Sequence, residues 1–144
     1  MKPQKRHKAR SYVLQALYQW HITGDPAAQV LAQFNDNIKH DNTDEAYFNR
    51  LFNGVTRQQQ AIDKQFKPLL DRAYTELTPI ELNILRLATY ELTHCHDVPY
   101  KVVINEALNL AKTFGATDDG FKYVNAVLDK IARQQRAAET ETAI

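Results

Sequence analysis

Apolar residues recur along this chain at spacings of three and four, and strict apolar–polar alternation is almost absent. Val13, Ala16, Leu17 and Trp20 form the first such stripe, predicting a helix that starts within the first ten residues and runs to about Thr23. Gly24-Asp25-Pro26 ends it, and Asp25 is placed to cap a second helix with Pro26 at its first position, carrying Val30, Leu31 and Phe34. Residues 35–42 are polar and read as a loop. Across 43–74 one stripe holds Tyr47, Phe48, Leu51, Phe52 and Val55, and a second holds Ile62, Phe66, Leu69 and Leu70. Gly54 and the glutamines at 58–60 suggest a break between them, and Pro68 should kink the second piece.

Thr78-Pro79-Ile80-Glu81 is the clearest helix start: an N-cap threonine, proline at the first helical position, and glutamate at N3 to close a capping box. The helix that follows, through Leu82, Ile84, Leu85, Leu87, Ala88 and Leu92, is apolar on nearly all sides and predicts the most buried element. It stops before Asp97-Val98-Pro99. A further helix spans about 100–114, with Gly115 as its C-terminal cap. The last carries Val124, Val127, Leu128 and Ile131, with Asp118 and Asp119 read as N-caps, and frays into a polar tail from Arg136. The expectation is an all-α chain of six or seven helices, with one folded domain over residues 1–135 and a flexible tail over 136–144.

Composition excludes more than it selects. At 144 residues the chain is one domain by length, able to bury roughly 70% of its unfolded surface. A single cysteine, Cys95, excludes an internal disulfide framework and fits a reducing cytosol. No apolar run is long enough to span a membrane, and the polar side chains of residues 11–23 do not read as a signal peptide, so a cytoplasmic location is expected. His94-Cys95-His96-Asp97 invites a metal reading, but adjacent ligands at a helix end cannot all turn to one ion, so no metal is expected. There is no phosphate-cradling glycine loop or nucleophile elbow, and Glu91 and Glu106 read as ordinary helix carboxylates. Neither enzyme activity nor a cofactor is expected.

Charge distribution says more than net charge. Lys2, Lys5, Arg6, Lys8 and Arg10 put five positive charges in the first ten residues without an acid, leaving thirteen bases against seventeen acids elsewhere. Such polarity suggests a basic edge for a polyanion. Gln15 and Tyr18 lie off the apolar stripe of the same helix, and Lys122 and Tyr123 form a second cation–aromatic pair. Single-stranded RNA is bound by such mixtures. Tyr123 reads either as a core aromatic or as a ring that stacks on a base; its offset of about 100° from Val124 favours stacking.

Several segments together resemble the NusB family. They are Ala9-Arg10 with Gln15-Ala16-Leu17-Tyr18 and Trp20; Leu85-Arg86 with Tyr90-Glu91-Leu92; Val98-Pro99-Tyr100-Lys101; Ile104-Asn105-Glu106-Ala107; Leu110-Ala111-Lys112; Phe114-Gly115; Tyr123-Val124-Asn125; and Val127-Leu128-Asp129-Lys130. The resemblance implies two packed helical bundles and a role in transcription antitermination, especially of ribosomal RNA operons. It implies pairing with the ribosomal protein NusE, binding of boxA-type single-stranded RNA, and association with the elongation complex. By matching position, Arg6, Arg10, Gln15, Asp118, Lys122 and Tyr123 resemble the RNA-facing set, to which the charge pattern adds Lys5 and Lys8. Tyr18, Ile22, Glu76, Ile80 and Glu81 resemble the partner-facing set. The loop at 117–121 is one residue longer than the family pattern, so either Phe121 or Tyr123 is the stacking ring, and Tyr123 fits the register better. His7 and Lys8 stand where the family is often richer in arginine. Two other classes remain open: the RNA-recognition module of certain ribosomal-RNA cytosine methyltransferases, whose catalytic domain this chain has no room for, and a homodimer formed through the surface otherwise given to NusE.

Overall fold

A computed structural model describes residues 2–71 and 76–142. Among these every regular element is helical, and the chain divides into two compact units, residues 1–58 and 59–144.

The first unit holds α1 (Lys2–Thr23), α2 (Ala27–Ile38) and α3 (Glu45–Arg57), each packed on the other two. The basic segment is therefore helix from its start rather than a loose arm. Gly24 takes φ +71° and donates its N–H to Trp20 O at 3.1 Å, a turn that only glycine adopts without strain. Pro26 is the N-cap of α2 and not its first residue; no side chain caps it. The segment read as a loop from residue 35 is helical to Ile38, because Ile38 is buried and extends the stripe of Val30 by two turns. Asp44 caps α3, its Oδ1 accepting from Tyr47 N at 2.9 Å. The core is Val13, Leu14 and Leu17 of α1 against Phe48, Leu51, Phe52 and Val55 of α3. Phe34, Phe48 and Phe52 form a stack with centroids 6.2 and 5.9 Å apart.

In the second unit α4 (Gln59–Phe66) passes into a 3₁₀ turn at Lys67–Leu69. Pro68 thus ends the helix instead of kinking it, since a 3₁₀ turn of this length needs no amide hydrogen from it. The expected end of that stretch near residue 74 lies outside the described residues. α5 (Pro79–His94) is buried at every position from Glu81 to Leu92 and packs against α4, α6 (Tyr100–Thr113) and α7 (Asp118–Gln135). Its capping box is complete: Thr78 Oγ1 accepts from Glu81 N, and Glu81 Oε1 accepts from Thr78 N, both at 3.1 Å. Gly115, at φ +84°, closes α6 in a Schellman turn: Ala116 N donates to Ala111 O and Gly115 N to Lys112 O.

Two more expectations change here, and one buried pair has no counterpart in the sequence pattern. Thr117, not an aspartate, caps α7, through its hydroxyl to Gly120 N at 3.0 Å; Asp118 and Asp119 occupy the first turn, where their charges suit the helix dipole. Arg86 and Asp63 form a buried bidentate ion pair, two bonds of 3.0 Å. Where a polar tail was expected from Arg136, a further short helix, α8 (Ala137–Thr142), follows and brings the described α-helices to eight. Arg136 itself is buried and donates to four backbone carbonyls, those of Glu91, Leu92, Cys95 and Val98, at 2.7–3.2 Å. They lie at the end of α5 and in the loop after it, and two of them, Glu91 O and Cys95 O, also accept a backbone N–H, from Cys95 and Val98.

Candidate nucleic-acid interface

The cations of α1 do not share one face. Lys8, Gln15, Tyr18 and Ile22 form an exposed stripe, with the first, second and fourth each seven residues apart. Tyr18 and Ile22 are 39% and 55% exposed, so this side of α1 carries both an RNA-assigned and a partner-assigned portion. Lys8 Nζ reaches Asp41 Oδ1 at 3.4 Å, and Tyr12 donates its hydroxyl to the other oxygen of that carboxylate. The Tyr12 hydrogen bond, helped by Lys8 and opposed by desolvation, holds the Asp41 carboxyl below its ordinary range. Gln15 donates its amide to Ser11 O at 3.2 Å and stays exposed. Lys5 is half-buried.

Arg6 and Arg10 turn the other way, toward α3. Arg6 lies over the Tyr47 ring at 4.1 Å and reaches Asp44 at 3.7 Å; Arg10 sits 5.3 Å from the same ring and is only 3% exposed. Residues 6 and 10 are one turn apart, and the side they share is the one α3 covers. Arg10, expected at the RNA surface, is thus a buried group.

In the second unit Asp118 and Lys122 are exposed, but Tyr123 is buried at 7%. Its 100° offset from Val124 does not expose it, because α7 packs on both α5 and α6, and its buried arc takes in Tyr123, Val124, Val127, Leu128, Ile131 and Ala132. The accessible ring is Phe121, half-exposed, with Lys112 Nζ 5.2 Å from its centroid. Among the partner-assigned residues, Glu76 is exposed and Ile80 half-buried, whereas Glu81 is buried at 6%. A Cβ on Gly120 would lie 2.2 Å from Glu81 Oε2. The Glu81 carboxylate therefore faces inward, one oxygen closing the capping box and the other against the bare Cα of Gly120.

That contact reverses an ordinary rule. Glycine to alanine in a helix usually stabilises by about 1 kcal/mol, but Gly120→Ala must displace a carboxylate fixed at its other oxygen, an overpacking that costs about 1–3 kcal/mol. We expect Gly120→Ala to lower the denaturation midpoint in wild type and to be neutral or stabilising in a Glu81→Ala background. A double-mutant cycle checks it; equal effects in both backgrounds would rule out the contact as the cause.

The residues around Cys95 serve separate ends. Cys95 is fully buried as the C-cap of α5, His94 packs on Tyr90 at 4.8 Å, and His96 Nε2 meets Thr93 O at 2.9 Å. No cluster of three or more His, Cys, Asp or Glu among the described residues is arranged to hold a metal. No described helix is long and apolar enough to cross a membrane.

These features define a class: a protein whose described elements are all helical, with a basic first helix that exposes a cation, an amide and an aromatic along one stripe. The NusB family model matches residues 7–133. The chain is 52% identical over 131 residues to the transcription antitermination protein NusB of Shewanella sediminis, covering 91% of this chain and 97% of that one. To the NusB of Alcanivorax borkumensis it is 51% identical over 137 residues, 95% and 91% of the two chains. Among solved structures, T. maritima NusB superposes with a TM-score of 0.79 at 30% identity, covering 94% of this chain and 96% of that one. A chain from the complex of antitermination factors NusB and NusE with dsRNA superposes at 0.81 and 25% identity, covering 91% and 98%. The chain belongs to the NusB family.

Proposed function

We propose that this protein is a non-enzymatic transcription antitermination factor that binds boxA-type single-stranded RNA together with NusE, in the cytoplasm and as part of the elongation complex. The observation that carries the reading is identity of about half the residues, over nearly the whole chain, to proteins named for that role. The exposed stripe of α1 supports it: Lys8 and Gln15 offer a cation and an amide to the RNA, and Tyr18 and Ile22 offer an apolar pair to the protein partner. Without that partner the same apolar pair is available to a second copy of the chain. Lys5 and Arg6 add to the RNA-binding set of the first unit; in the second unit, taken by itself, Glu76 and Ile80 are assigned to the protein partner and Asp118 and Lys122 to the RNA. Arg10, Glu81 and Tyr123 act beneath these surfaces, Arg10 behind the Tyr47 ring and Glu81 at the head of α5. Phe121 takes the stacking role.

The test is a titration of labelled boxA-type RNA with and without NusE. Binding should tighten at least about ten-fold when NusE is present, a coupling of about 1.4 kcal/mol. Phe121→Ala should weaken RNA binding by a comparable factor with an unchanged melting temperature, since base–aromatic stacking contributes about 1–3 kcal/mol. RNA affinity indifferent to NusE would sink the reading, and unchanged affinity in Phe121→Ala would remove that ring from it. Sizing of the free chain against the mixture with NusE separates self-association from heterodimer formation.

A further inference from the structure

Three arginines converge on one ring in the first unit. Their guanidinium carbons lie 4.1 Å (Arg6), 5.3 Å (Arg10) and 5.8 Å (Arg50) from the Tyr47 centroid. One guanidinium suffices to cover a tyrosine; three held this close concentrate positive charge around a single ring. Beside them opens a pocket of about 200 Å³ lined by Arg6, Asp44, Ala46, Tyr47 and Arg50, many times the space that one water needs. Arg10 is buried and Arg50 is exposed, so positive charge stands on both the inner and outer sides of the ring. The one carboxylate of the lining, Asp44, is engaged at both oxygens, by the Tyr47 amide and by Arg6.

We propose that this pocket receives a phosphate of the bound RNA strand, with Arg6 and Arg50 as its donors, so that the RNA surface extends from α1 onto α3. The inference rests on the RNA-binding role proposed above. Guanidinium groups stay charged at all accessible pH and present a planar fork that matches phosphate oxygens. Contact with the Tyr47 ring places both guanidinium groups in advance, and the short side chain of Ala46 leaves the mouth open. A phosphate is favoured over the carboxylate of a protein partner because Arg6 stands on the same N-terminal turns of α1 as Lys5 and Lys8, though on another face, while Tyr18 and Ile22, the partner-assigned residues of that helix, lie three or more turns further along.

The experiment is an anisotropy titration of boxA-type RNA, NusE present, at several salt concentrations. Wild type, Arg50→Ala and Arg50→Lys are compared, with Arg133→Ala as a control on an exposed arginine of α7. Arg50→Ala should bind about three- to ten-fold more weakly near physiological salt, and its slope of log affinity against log salt should be shallower by about 0.7, the loss of one single-strand phosphate contact. Arg50→Lys should keep the slope while losing part of the affinity, because it keeps the charge but not the fork. Melting temperatures should agree, since Arg50 is exposed. Wild-type affinity and slope in Arg50→Ala would overturn the inference, and so would weaker NusE binding by Arg50→Ala in the absence of RNA, which would give the pocket to an acidic protein segment. If wild type itself fails to bind RNA, the proposed function falls together with it.

Discussion

Replacing Arg136 with alanine is expected to destabilise the second unit by about 3–5 kcal/mol, the range found when one partner of a buried charged network is removed. The guanidinium donates to the carbonyls of Glu91, Leu92, Cys95 and Val98 and to Glu139 Oε1. A hydrogen bond from a charged donor contributes about 1.5–3 kcal/mol, and each buried carbonyl left unpaired costs about 1–3. The sum exceeds the expectation because the Glu91 and Cys95 carbonyls keep a backbone N–H donor and others will regain water. Lysine at 136 should recover little, since one ammonium with three donors cannot span four carbonyls and a carboxylate. In thermal unfolding the shift should be about 10 °C or more. Arg133→Ala, whose ion pair with Asp129 is exposed, should stay within about 0.5 kcal/mol. Deleting residues 136–144 should therefore cost as much as Arg136→Ala, whereas a dispensable tail would leave the midpoint in place. Glu139 adds a pH dependence. Burial pushes its carboxyl up, but the Tyr100 amide, Arg136 and His96 together outweigh that and hold it below its ordinary value. A lowered folded pKa means the contribution is present above the ordinary glutamate range and is lost as pH falls below it. The gap between wild type and Glu139→Gln should accordingly narrow in acid.

Tyr123→Ala is the second large effect. The side chain is 7% exposed in the arc of α7 that meets α5 and α6, and truncating a large core aromatic costs about 3–5 kcal/mol. Chemical denaturation should show that loss, and Tyr123→Phe should recover most of it. RNA affinity of the Tyr123→Ala fraction that remains folded should fall far less than that of Phe121→Ala. A wild-type midpoint in Tyr123→Ala, joined to a ten-fold loss of RNA binding, would return the stacking role to Tyr123.

These two residues also show where sequence periodicity stops being informative. The apolar stripes placed α1, α3, α5, α6 and α7 correctly, and the Thr78 capping box was legible residue by residue because all its partners lie within one turn. Gly24 and Gly115 were legible for a similar reason: a chain that must turn left-handed at a helix end selects glycine locally. The end of α2 was missed because polar Asn35, Asp36 and Asn37 ride on a helix held by Ile38, a single apolar residue beyond them. The role of Gly120 had no local signal at all, since the atom that forbids a side chain there belongs to Glu81, on another helix.

The sequence by itself determined that the chain is helical, where most helices begin, and which apolar residues share a side. It also carried the family resemblance, because that rests on residue identities in register. Only the tertiary structure decided which polar side chains turn inward. Arg10 lies under Tyr47, Asp63 pairs with Arg86, Glu81 abuts Gly120, and Arg136 closes the end of α5, each across 23 or more residues of chain. Periodicity reports the direction of a side chain about its own helix axis. Whether that direction meets water or another helix is set by packing between distant segments, and a polar group can be buried only where such a segment supplies its partners.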